Sequence, residues 1–118
     1  MTIFHFSGVL FALLLAGCSA ISDENMPESD SELGRIARVS NFSDRTAALM
    51  YFAEQRLGDQ DQLRRELLIA GFELTEDTEE GCENYYWRGR DRGMLFYSVM
   101  IVNVCGETVQ TNSGSIAP

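Results

Sequence analysis

The sequence predicts an α+β domain in which two short amphipathic helices are followed by an antiparallel meander of three or four strands. Three features carry that reading. Between Asp44 and Ala70 apolar residues recur at helical spacing, with Leu49, Ala53 and Leu57 in one stretch and Leu63, Leu67 and Leu68 in the next. Gly58 and Gly71 close the two stretches. Beyond Gly71 the period drops to two, and the runs Cys82 to Arg90 and Met94 to Cys105 are rich in aromatic and β-branched residues on either side of Asp91-Arg92-Gly93.

The folded part is expected to begin near Leu33. Asn41 or Ser43 can cap the first helix, which runs from Asp44 to Leu57, because a short polar side chain there satisfies an unpaired amide of the first turn. Asp59, with Gln62 three residues on, imitates a capping box and opens the second helix, which extends to Ala70. Gly71 then occupies the place of a left-handed C′ residue, with Phe72 positioned to close back on Leu67. Phe72 to Thr75 reads as a short strand, and Glu76 to Gly81 as an acidic loop. Cys82 to Arg90 alternates, whereas Met94 to Cys105 is apolar on both faces, so the latter belongs inside its sheet with helices or a partner over it. Gly106-Glu107 suits a type II′ turn, and Thr108 to Thr111 a polar edge strand. The tail from 113 to 118 is expected to fray.

The first residues carry a different signal. Phe6 to Ala16 is nearly all apolar, yet a membrane-spanning helix needs roughly 20 such residues. The run ends in Leu15-Ala16-Gly17-Cys18, which resembles the lipobox of bacterial lipoprotein precursors. That resemblance implies removal of residues 1–17 and acylation of the Cys18 thiol, so the protein attaches to a membrane through its N-terminal lipid. One departure is the absence of Lys or Arg from the first six residues. By resemblance to the sorting of Gram-negative lipoproteins, Ser19 after the cysteine implies the outer membrane, facing the periplasm. Residues 18–32, polar and acidic with Pro27, lack the apolar content to offset ordering entropy and read as a disordered tether. The α+β domain then spans 33–112.

Composition narrows the chemistry. The formal net charge is −9, all nine basic residues are Arg, and the single histidine is His5, inside the segment expected to be removed. Nucleic-acid binding is disfavoured, since phosphate contacts need a basic face. Without His or Lys, residues 18–118 cannot assemble a Ser-His-Asp or Cys-His pair, a Schiff-base lysine or a His-ligated zinc, and no cofactor or metal is expected. With Cys18 acylated, Cys82 and Cys105 remain as a disulfide pair in an oxidising compartment. A hairpin pairing Arg90 with Leu95 would set Cys82 diagonal to Cys105 on one face, while a one-residue slip would separate the sulfurs; a Cys82 in the preceding loop is the other route.

Two clusters are candidates for function. Glu73, Glu76, Asp77, Glu79, Glu80 and Glu83 form a carboxylate block that lacks the spacing of a calcium loop, so a solvated loop is its ordinary reading. Tyr86, Arg88, Arg90 and Arg92 form an aromatic and cationic hairpin, of the residue types enriched at binding hot spots; Tyr86, Arg88 and Arg90 share one strand face, and Tyr85 and Trp87 the other.

From Leu63 to Thr111 the pattern of helix, glycine stop, aromatic strand Tyr85-Tyr86-Trp87, long apolar strand, Gly106 turn and polar strand resembles the small outer-membrane assembly lipoproteins of the SmpA/OmlA type. The resemblance implies a non-enzymatic scaffold that binds another envelope protein. The expected function is therefore a lipid-anchored interaction module; the rivals are an inhibitor that engages a basic target through the acidic loop and, third, a carboxylate-dependent hydrolase.

Overall fold

A computed structural model describes residues 22–75 and 79–118. The lipobox-like run 15–18 with Cys18, and Glu76 and Asp77 of the acidic block, lie outside the described residues.

Three helices precede a four-stranded antiparallel sheet. Helix α1 (Glu32–Ala37) begins at Ser31, whose side chain accepts from the Gly34 amide at 2.9 Å. Sequence periodicity overlooks this helix because six residues are under two turns. Helix α2 (Phe42–Glu54) is capped by Asn41, which accepts from the Asp44 amide, so Asn41 and not Ser43 fills the role. It ends three residues before Leu57, and the chain continues in tight turns to Gly58. Helix α3 (Gln60–Ile69) is capped by Asp59 accepting from the Gln62 amide. Its end is a Schellman stop: Gly71 has φ 99°, its amide donates to the Leu68 carbonyl, and that of Phe72 to the Leu67 carbonyl.

The strands β1 (Glu73–Thr75), β2 (Cys82–Gly89), β3 (Tyr97–Cys105) and β4 (Thr108–Ile116) lie in the order β1-β2-β3-β4, each antiparallel to the next. One face is the core. Tyr85 and Trp87 of β2 lie opposite Val102 and Met100 of β3, and all four are buried beneath Leu49, Phe52, Leu63 and Leu67 of the helices. Phe72 packs its ring 6.3 Å from that of Trp87. Arg45 is the exception in this apolar layer. Although only 2% exposed, it donates through Nε to Ser113 Oγ and through Nη2 to the Gly114 carbonyl, with its guanidinium 4.9 Å from the centre of the Phe42 ring. Burial pulls its pKa down, and these polar and aromatic partners compensate the cation.

Cys82 and Cys105 form the disulfide, directly opposite one another with Cα atoms 4.1 Å apart. The parity matches the anticipated register, but the ladder is shifted by two residues from the Arg90–Leu95 pairing and closes the diagonal gap. Such close Cα atoms belong to a narrow, non-hydrogen-bonded pair, and the Gly106 amide accordingly bonds the Gly81 carbonyl one step further out. Gly106 has φ 60° while Glu107 does not take positive φ, which is the type II′ turn.

Three expectations change. Strand β3 starts at Tyr97, leaving Met94, Leu95 and Phe96 in the connecting loop. Strand β4 continues to Ile116, paired with Tyr97, so the chain past Asn112 is part of the sheet. The segment from Asp23 to Ser31, taken as tether, lies on the domain: Glu24 and Arg90 exchange backbone hydrogen bonds at 2.9 Å, and Pro27 is buried. Of the helices or partner expected over β3, helices cover one face of the sheet among the described residues. Tyr86, Tyr97, Val99 and Ile101 on the other are half-exposed.

Candidate interaction surface

Alternation along β2 sends Tyr86 and Arg88 to the helix-free face, as the sequence predicts, while Tyr85 and Trp87 enter the core. Across the ladder Tyr86 lies opposite Ile101 and Arg88 opposite Val99. The centre of this face is thus an aromatic and aliphatic strip, bordered by polar Asn84, Asn103, Gln110 and Asn112.

Tyr97 organises the end of the strip nearest the β2–β3 loop. The guanidinium carbons of Arg88 and Arg90 lie 4.8 and 4.9 Å from its ring centre, within cation–π range. Its hydroxyl donates to Glu24 Oε2 at 2.7 Å, and Arg90 Nη2 donates to Glu24 Oε1 at 2.7 Å. The hydrogen bond to Glu24 holds the Tyr97 phenol above its ordinary pKa. Arg90 is therefore committed within the fold, with an 18%-exposed side chain and a buried Nε that has no partner among the described residues. Arg88 stays exposed on the open face. Arg92 sits in the exposed loop, where its backbone amide donates to Asp23 Oδ1. The four residues singled out from sequence separate accordingly. Tyr86 and Arg88 face outward, Arg90 ties down the N-terminal segment, and Arg92 lies beyond the strand.

Sequence reasoning missed Glu24 and Asn25. Asn25 takes φ 52°, donates from Nδ2 to the carbonyls of Arg88 and Gly71, and accepts from Trp87 Nε1 on its own carbonyl at 2.8 Å. Positive φ is a place where Asn is tolerated, yet nothing local marks partners more than 40 positions away. A groove bounded by Asn25, Glu73, Tyr86, Arg88 and Tyr97 runs along the join.

The carboxylate block is partly engaged in structure, since Glu83 accepts from Arg64 Nη2. Among the described residues no group of three or more His, Cys, Asp or Glu is placed to hold a metal ion, and no helix is long and apolar enough to cross a membrane. In comparisons with known proteins, no family model, no curated protein and no solved structure matches this chain.

Proposed function

We propose that the protein is a lipid-anchored, non-catalytic module of a bacterial cell envelope, held at the outer membrane by Cys18, that binds another envelope protein through the helix-free face of its sheet. The observation that carries the proposal is this face itself, where Tyr86, Val99 and Ile101 stay half-exposed beside the exposed Arg88. Aromatic and Arg side chains around an apolar centre, with a polar rim, match the anatomy of protein interfaces. The resemblance to SmpA/OmlA-type assembly lipoproteins points to the same class of partner. An acid-loop inhibitor gains less support, because Glu83 is already paired with Arg64.

A photocrosslinking amino acid at Ile101, in the full chain expressed in its native host, tests the reading. It should give a discrete adduct with another envelope protein, and Arg88→Glu should cut the yield about tenfold, as loss of a hot-spot residue does. The same crosslinker at Tyr51, on the helix side and 63% exposed, should give no such adduct. Identical adducts from both positions, or none from Ile101, would overturn the proposal.

A further inference from the structure

The loop between β2 and β3 exposes three consecutive large apolar residues: Met94 at 56%, Leu95 at 65% and Phe96 at 55%. Single exposed apolar side chains are ordinary, but a run of three at the tip of a hairpin marks a surface meant to be covered. Ile116, paired with Tyr97 and 38% exposed, widens the same end. What covers it follows from where the N-terminal segment enters. Asp23 meets the Arg92 amide in this loop, and Glu24 pairs with Arg90 at its base. Cys18 precedes Asp23 by five residues. Five residues span at most about 18 Å, against about 50 Å for a tether reaching to Glu32. An acylated Cys18 therefore keeps the hairpin tip beside the bilayer. The Gly106-Glu107 turn lies at the other end of the nine-residue β3, about 30 Å away.

We propose that Met94, Leu95 and Phe96 form a second membrane contact, inserted into the leaflet that holds the acyl chains of Cys18. The inference rests on the lipid-anchor reading. The contact is apolar in kind. Arg88, Arg90 and Arg92 are balanced locally by Asp23, Glu24 and Asp91, so the loop has no excess of cations to demand anionic lipid, and a zwitterionic bilayer suffices. With lipid and loop both seated, the sheet stands up from the membrane and its open face looks sideways into the periplasm. The anchor alone would leave the domain free to tumble.

Phe96→Trp in the full, processed chain, reconstituted into phosphatidylcholine vesicles with or without bromine on the acyl chains, tests the contact. Bromine quenches an indole only at short range, and the native Trp87, fully buried in the core, supplies the background. The added indole should lose at least half its emission in brominated vesicles, while one placed by Glu107→Trp at the far turn should lose none. Mass measurement of the N-terminus separates the two ideas. Unquenched emission from a chain with acylated Cys18 overturns the loop contact and leaves the anchor standing. Quenching from a chain without acylation upholds the loop and refutes the anchor. An unacylated, unquenched chain overturns both.

Discussion

Gly89 decides how closely the N-terminal segment approaches the sheet. A Cβ at this position would run into the ring of Trp87 and would come within 2.9 Å of the Glu24 carbonyl. Trp87 is fully buried and its indole N–H is held by Asn25, so the ring can shift only once that hold is released. The segment that carries Glu24 is the side that must give. Gly71 meets the same segment from the other direction, where a Cβ would collide with the Asn25 amide. Gly89→Ala is expected to undock residues 22–26 and to cost about 1–3 kcal/mol, the usual range for overpacking. Hydrogen exchange at the Glu24 amide, which donates to the Arg90 carbonyl, reads this directly: protection should vanish in the variant. Retained protection and unchanged stability would refute the packing argument. The residue scale also shows what the sequence makes legible. Asn41, Asp59 and Gly71 act on amides or carbonyls within a few positions, and their side-chain chemistry announces the role. Glu24 acts 66 positions away on Arg90, and its own neighbourhood, acidic and polar, carries the composition of a tether.

At the scale of elements, alternation identifies the faces of β2 correctly but cannot tell where β3 begins. Met94 to Phe96 continues the apolar run, yet the ladder starts only at Tyr97, where β4 supplies Ile116 as partner. A run apolar on both faces has no phase to mark its end. The short helix α1 escapes for the related reason that its six residues give too little periodicity. Register is different, because the disulfide reports it. Cys82 and Cys105 oppose each other at the end of the hairpin far from the Met94 loop, so the covalent link fixes every pair back to Gly89 and Ser98. Their sequence separation is 23, and closing such a loop in the unfolded chain stabilises the fold by about 3 kcal/mol in the chain-entropy model. C82S/C105S is expected to melt roughly 12–24 °C below the native protein, a range set by the entropy of unfolding of a domain of this size. Calorimetry with and without reductant checks it. Reductant should lower the native protein toward the variant and leave the variant unchanged, whereas equal melting temperatures throughout would remove the disulfide from the account of stability.

Two tyrosines join the parts of the molecule that lie far apart in sequence. Tyr85 sits in the core face of β2 and takes a hydrogen bond from Arg64 Nε of α3 at 3.2 Å, so it ties helix to sheet. Tyr97 bonds Glu24 and so ties the N-terminal segment to β3. Both phenols are held above the ordinary value of 10.0, Tyr85 chiefly by burial and Tyr97 chiefly by its hydrogen bond to the Glu24 carboxylate. A group whose folded pKa exceeds its unfolded value favours the fold in its protonated form. Its contribution is fully present below about pH 10 and is lost as the pH rises through the folded value. The protein is therefore expected to keep a constant denaturation midpoint from about pH 7 to 9 and to lose stability above about pH 10. Absorbance of tyrosinate in the folded protein should rise at higher pH than in the denatured chain, and Tyr97→Phe should remove one of the late-titrating groups. The same substitution should weaken protection of the Glu24 amide at neutral pH, since it deletes one of the two side-chain partners that Glu24 holds. Tyrosinate formation at the same pH in folded and denatured chains would sink the linkage and leave the N-terminal segment held by its other contacts, those of Asp23 with the Arg92 amide, of Glu24 with Arg90 and of Asn25 with the Trp87 indole.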